Sequence, residues 1–78
     1  MIFYTTLFAK HDFTTGAINL FEIQRAPLNS GWVVLLRGRV VVGYLTTARK
    51  LNEPRVFKTL DAVVIALEEI GFSVLKLS

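Results

Sequence analysis

The sequence predicts a small α+β domain, in which one helix packs on one face of a small, mainly antiparallel sheet and the elements follow in the order β-β-β-β-α-β. Three observations predict this class: short runs of β-branched and aromatic residues, a glycine turn between two apolar runs, and one helix-periodic segment near the carboxyl end. A chain of 78 residues buries little more than about 60% of the surface that its unfolded form exposes. We therefore expect a single domain, 1–78, with a marginal core.

Two strands are expected at the amino end. Residues 2–9 (IFYTTLFA) are β-branched and aromatic and predict a strand. Residues 10–16 (KHDFTTG) are polar, end in a glycine and predict a loop. Residues 17–25 (AINLFEIQR) fit either a second strand or a short helix capped by Thr14 or Thr15. We favour a strand that completes a hairpin with the first, followed by a break around Pro27.

The central hairpin is predicted most directly. Gly38 and Arg39 suit a two-residue type II′ turn, because that turn favours glycine at its first central position. This register sets Leu36 opposite Val41 and Trp32 opposite Leu45. One face then carries Trp32, Val34, Leu36, Val41 and Leu45, and the other carries Val33, Leu35, Val40, Val42 and Tyr44.

Both faces of this hairpin are apolar, whereas a half-exposed antiparallel sheet alternates apolar and polar residues. Something must therefore cover each side, and one helix covers only one of them. For the second face we predict a homodimer interface, formed by Val33, Leu35, Val40, Val42 and Tyr44. A sheet rolled tightly enough to hide these side chains is the alternative.

The helix is predicted between Thr59 and Gly71. Thr59 suits the N-cap, Asp61 lies in the first turn, and Gly71 suits the position after the last turn, with Phe72 folding back on Leu67. The residues that recur at helical spacing form the expected buried stripe: Leu60, Val63, Val64, Leu67 and Ile70. Residues 72–77 (FSVLKL) predict a final strand.

Catalytic and cofactor signals are weak, so we predict a protein that is not an enzyme and that binds no cofactor or metal. Cysteine is absent and histidine occurs once, which disfavours the usual zinc sites. The His11-Asp12 pair is typical of a solvated loop, although a metal-free ribonuclease using His11 with arginine and lysine is the residual alternative. The chain lacks an apolar run of the roughly 20 residues that span a bilayer, so we expect no membrane partner.

The charge distribution points to a partner. Residues 37–58 hold Arg37, Arg39, Arg49, Lys50, Arg55 and Lys58 against Glu53 alone, a local balance of +5 on a chain of net charge +3. Such a segment is typical of a polyanion partner. We predict nucleic-acid binding through these six residues. The apolar faces of the strands favour contact with phosphates over reading of bases.

Two alternatives to nucleic-acid binding remain open. The charges are also compatible with a solvated sheet edge that avoids edge-to-edge pairing. The apolar second face, rimmed by arginines, is compatible with a protein-interaction module or inhibitor that docks an unidentified protein.

The run INLFEIQRAPLNSGWVVLLRG, followed by GYLTTARKLNEPRVFKTLDAVVIALEEIGF, covers most of the chain. It resembles small uncharacterised proteins of bacterial conjugative plasmids and other mobile elements. This resemblance brings no catalytic or binding motif with it. It implies a bacterial, cytoplasmic setting, which suits a chain without cysteine. It also implies an accessory role in plasmid maintenance or regulation.

Overall fold

A computed structural model describes residues 2–74 of the chain. The elements are β1 (Ile2–Tyr4), α1 (Thr6–Thr15), β2 (Leu20–Arg25), β3 (Trp32–Arg37), β4 (Val42–Leu45) and α2 (Leu60–Ile70), with a short 3-10 turn at Pro27–Asn29. The strands form one sheet in the order β1-β4-β3-β2. Strand β1 runs parallel to β4 and the other pairs are antiparallel. The predicted α+β class with a mainly antiparallel sheet is confirmed.

The first helix was not expected. The strand predicted over residues 2–9 ends at Tyr4, and α1 also occupies most of the segment predicted as a loop. Thr5 caps this helix by accepting a hydrogen bond from the Phe8 backbone N–H at 3.3 Å. Gly16 ends it in the left-handed region, at φ 86°. Ala9 is the one residue of α1 that is fully buried. A helix that buries so little needs no periodic apolar stripe, and the sequence of α1 shows almost none.

Helix α1 also changes which strands pair. The hairpin predicted between the first two strands is wrong, because β1 and β2 are the two outer strands of the sheet and do not pair. The strand favoured over residues 17–25 is present as β2, and it pairs with β3 from Leu20–Arg37 to Arg25–Trp32.

The central hairpin is present in a different register. Leu35 pairs with Tyr44 and Arg37 pairs with Val42, so the predicted register is shifted by two residues and the connection is longer than a two-residue turn. Because side chains alternate with a period of two, this shift leaves each residue of the paired strands on its predicted face. A Cβ at Gly38 would lie 1.7 Å from the Ala17 carbonyl oxygen. Gly38 is therefore required by a close approach of the β3–β4 connection to the chain before β2.

Both helices pack on the same face of the sheet. Tyr4, Val34, Leu36 and Leu45 contribute the sheet side of the core, and the buried helix residues are Ala9, Val63, Ala66, Leu67 and Ile70. The predicted caps of α2 are confirmed: Thr59 Oγ1 accepts from the Ala62 N–H at 3.1 Å, and the Phe72 N–H donates to the Leu67 carbonyl at 3.1 Å.

Two expectations about the carboxyl end need correction. Leu60 is exposed and Val64 half-buried, so the buried stripe of α2 runs through Val63, Ala66, Leu67 and Ile70 instead. Of the predicted final strand, residues 72–74 are not a strand and 75–77 lie outside the described residues. Phe72 instead packs its ring against Phe13, with the ring centroids 4.6 Å apart.

Candidate nucleic-acid interface

Three strands end and both helices begin at one edge of the sheet, the edge that runs across the strand ends. Strands β1, β2 and β4 end there, and β3 begins there, because of the strand directions. The loop of residues 46–59 folds over this edge, where the Arg55 N–H donates to the Leu45 carbonyl at 2.7 Å and Phe57 forms a two-hydrogen-bond bridge with Trp32. Helix α1 starts two residues after β1, and α2 starts three residues after Phe57.

Five cationic side chains lie along this edge, which we call the basic edge: Arg25, Arg49, Lys50, Arg55 and Lys58. Four of them belong to the predicted set and are carried by the 46–59 loop. Arg25 was missed, because its place beside Trp32 follows from the pairing of β2 with β3. A sequence search for clustered charge has no access to that pairing.

The other two predicted residues lie elsewhere. Arg37 is the last residue of β3 and Arg39 follows in the β3–β4 connection, at the opposite edge of the sheet. At about 3.4 Å per residue, the length of β3 separates Arg37 from Trp32 by roughly 17 Å. The six residues predicted as one basic segment are therefore divided between two edges.

Two of the arginines at the basic edge stack on aromatic rings. The Arg25 guanidinium carbon lies 4.7 Å from the Trp32 ring centroid, and that of Arg55 lies 4.4 Å from the Phe57 ring centroid. Stacking uses the flat face of the guanidinium and leaves its N–H groups in the plane free to bind an anion. Both arginine side chains are thus held against an aromatic ring at the basic edge.

The basic loop is anchored by a buried threonine. Thr46 is 1% exposed, and its hydroxyl lies 2.5 Å from the carbonyl oxygens of both Lys50 and Glu53. Its backbone N–H donates to the Tyr4 carbonyl at 2.7 Å. Because the hydroxyl lies against two carbonyl oxygens of the loop, Thr46 holds the turn that contains Arg49 and Lys50.

His11 and Asp12 have different surroundings. His11 is exposed on α1, while the Asp12 carboxylate accepts a 2.7 Å hydrogen bond from the Tyr4 hydroxyl. Within residues 2–74, no group of three histidine, cysteine, aspartate or glutamate side chains is arranged to hold a metal ion. Neither helix of this part of the chain has the length and hydropathy required to cross a bilayer.

The burial of Tyr4 and its hydrogen bond to Asp12 make the fold less stable at alkaline pH. Burial, the hydrogen bond to Asp12 and the negative charge of Asp12 raise the pKa of Tyr4 from 10.0 to about 12. The folded chain holds the proton more tightly than the unfolded chain. This contribution to the free energy of unfolding is therefore complete below pH 10 and is lost as the pH rises towards 12.

We expect Tyr4→Phe to be less stable by about 1–2 kcal/mol at neutral pH, since it loses the bond to Asp12. We also expect it to lose less stability than the wild type between pH 10 and 12. Denaturant unfolding of both proteins across this range measures the difference, because their other titrating groups are the same. Parallel curves would contradict a structural role for the Tyr4 hydroxyl.

The face predicted to form a dimer is the one that carries no helix among the described residues. Val33 and Leu35 lie there, yet they are only 6% and 5% exposed. Tyr44 lies across this face, because its hydroxyl reaches over β3 to donate a 2.9 Å hydrogen bond to the Gln24 side-chain oxygen on β2. Val42 stays partly exposed on this face. Val40 lies in the β3–β4 connection, outside any strand, and is 94% exposed.

A side chain of the same chain therefore covers part of this face. Gln24 in turn donates to the Glu22 carboxylate at 2.9 Å, which adds polar groups to this face along the outer strand β2. A homodimer through Val33, Leu35, Val40, Val42 and Tyr44 stays a prediction. The burial of Val33 and Leu35 no longer requires it.

Comparison of the chain with protein-family models, with curated proteins and with solved structures finds no match. The function proposed below therefore rests on the residues of the basic edge.

Proposed function

We propose that this chain is a non-enzymatic nucleic-acid-binding protein that contacts phosphates through its basic edge. The observation that carries the proposal is the convergence of five cationic side chains and two helix N-termini on one edge of the sheet. Sequence-independent binding to nucleic acid depends mainly on such cations, because each neutralised phosphate releases counterions.

The helices add to the positive potential of this edge. Each α-helix carries the equivalent of about half a positive charge at its N-terminus, and α1 begins with no acidic residue in its first turn. In α2, Asp61 offsets part of this effect. A surface cleft lined by Thr6, Leu7, Thr47 and Arg55 joins the start of α1 to the basic loop. The α1 terminus and Arg55 can therefore act on the same anion.

The cations of the basic edge are available to a ligand. Within residues 2–74, the side chains of Arg49, Lys50, Arg55 and Lys58 donate none of the hydrogen bonds that hold the fold together, and all four residues are exposed. Arg25 donates one bond, to Asn29 at 3.2 Å. Most of the side-chain donors at the basic edge are thus uncommitted within this part of the chain, which supports their binding to phosphates.

Neither alternative function is better supported. A protein-interaction module docking through the helix-free face would need a continuous accessible apolar surface there, whereas Val33 and Leu35 are buried and the exposed Leu20 and Val42 lie at one end of that face. A ribonuclease would need a partner for His11, and Asp12 is bonded to Tyr4. A regulatory role on a bacterial mobile element, in the cytoplasm, is part of the proposal and rests on the sequence resemblance alone.

Fluorescence anisotropy with a labelled oligonucleotide, measured across a salt series, tests the proposal. Contact of five cations with phosphates predicts a loss of affinity of about two to three orders of magnitude between 50 and 200 mM salt. Absence of binding to DNA and RNA at the lowest salt would overturn it, because phosphate-driven affinity must rise as salt falls.

A further inference from the structure

The basic edge also exposes apolar side chains. Large hydrophobic residues that are at least 44% exposed occur at the beginnings of both helices and in the two loops of this edge: Leu7, Phe8, Leu28, Leu51, Val56 and Leu60. Long side chains on a helix lean towards its N-terminus, so Leu7 and Phe8 lean towards the edge. Cations and apolar groups therefore share one surface.

The two kinds of side chain alternate along the chain. Leu51 directly follows Lys50, Val56 directly follows Arg55, and Leu60 lies two residues after Lys58. An amphipathic helix that binds a bilayer surface instead gathers its apolar residues on one continuous face. The alternation at the basic edge suits a ligand in which charged and apolar groups themselves alternate.

Leu28 shows that folding does not explain all of these residues. Its side chain is 99% exposed, and its backbone is left-handed at φ 60°, next to Asn29 at φ 54°. The Cβ atom of an ordinary L-residue crowds the following carbonyl oxygen in this conformation, which glycine and asparagine adopt more readily. Leucine therefore weakens this turn and gains no burial in return, which points to a role in contact with a ligand.

A single-stranded nucleic acid has the matching chemistry. Its phosphates repeat along the backbone, and its unpaired bases present apolar faces between them. Proteins that bind single strands combine a positively charged surface with side chains on which the bases stack. A duplex keeps its bases stacked inside, so exposed leucine and phenylalanine would gain little from its phosphate backbone.

We propose that the basic edge binds single-stranded nucleic acid in preference to duplex, with its cations on the phosphates and Phe8 and Leu28 against the bases. This inference rests on the proposed function. Phe8 offers the one aromatic ring that is more than half exposed among the described residues, at 63%, and lies in the first turn of α1. Leu28 lies beyond the end of β2, so the two contacts span the edge.

The test is anisotropy with single-stranded oligodeoxythymidylate and oligouridylate of about a dozen nucleotides, a DNA duplex of the same length, and vesicles of phosphatidylcholine with phosphatidylserine. We expect at least tenfold tighter binding of one or both single strands than of the duplex at the same salt. Phe8→Ala and Leu28→Asn should each weaken single-strand binding about fivefold or more. Their salt dependence should stay unchanged, since no cation is removed.

Leu20→Asn is the matched control, because Leu20 is 61% exposed and lies at the opposite edge. It should leave the affinity unchanged. Equal or tighter binding of the duplex, or unchanged affinity in both Phe8→Ala and Leu28→Asn, overturns the single-strand inference and leaves phosphate binding intact. Binding to the vesicles with no binding to any oligonucleotide at low salt overturns the proposed function as well.

Discussion

Reversing the charge of Arg49 and Lys50 is expected to abolish most nucleic-acid binding, whereas the same reversal of Arg37 and Arg39 is expected to leave most of it. The double variants Arg49→Glu/Lys50→Glu and Arg37→Glu/Arg39→Glu change the net charge equally, and all four residues are exposed. Only the first pair lies at the basic edge. Each lost phosphate contact lowers the slope of log affinity against log salt by about 0.7–0.9.

We therefore expect the slope to fall by about 1.5 in Arg49→Glu/Lys50→Glu, with at least a tenfold loss of affinity at low salt, and to change little in the other variant. The salt series of both variants beside the wild type gives these slopes, and thermal unfolding confirms that each variant is folded. Equal losses in the two variants would show that ligands respond to the overall charge of the protein. A larger loss in Arg37→Glu/Arg39→Glu would place the site at the opposite edge.

Gly38→Ala is expected to destabilise the fold more than any surface substitution. Its Cβ would lie 1.7 Å from the Ala17 carbonyl oxygen and 2.8 Å from the Ala17 carbonyl carbon. Backbone cannot move aside as a flexible side chain can, and the Asn19 N–H donates to the Arg37 carbonyl in the same place. We expect a loss of about 3 kcal/mol or more in the free energy of unfolding, measured by denaturant titration.

Gly16→Ala is the matched control. Gly16 has φ 86° and no atom within 4 Å of an added Cβ, so alanine there costs only the strain of a left-handed backbone, about 1–2 kcal/mol. A Gly38→Ala loss no greater than that of Gly16→Ala would indicate an ordinary turn glycine, as the type II′ turn predicted from the sequence would require.

Local signals predicted α2 well because its ends and its buried side are encoded within the segment itself. Thr59, Asp61 and Gly71 are in the predicted cap positions, and Val63, Leu67 and Ile70 face the core. The burial predicted for Leu60 was wrong. This residue is 48% exposed and lies in the first turn of α2, at the edge that carries the basic loop.

Helix α1 was missed for the opposite reason. Its segment begins with β-branched and aromatic residues, which favour strands in isolation, and it buries only Ala9 fully. Its packing against α2 and β1 overrides this propensity. Helix α1 carries the chain across the sheet from β1 to β2, which are the two outer strands and run in the same direction, so that β1 pairs in parallel with β4 instead of forming a hairpin with β2.

Local sequence patterns were enough to predict the α+β class, the second helix with its caps, the central hairpin with its two apolar faces, and the presence of clustered cations. Each depends on residues that are neighbours along the chain or recur with a fixed period. The fold then decided which cations lie together, because strand direction places Arg25 beside the basic loop and carries Arg37 and Arg39 to the opposite edge. It also decided how the helix-free face is covered, since the hydrogen bond from Tyr44 to Gln24 joins residues on two strands that do not pair with each other.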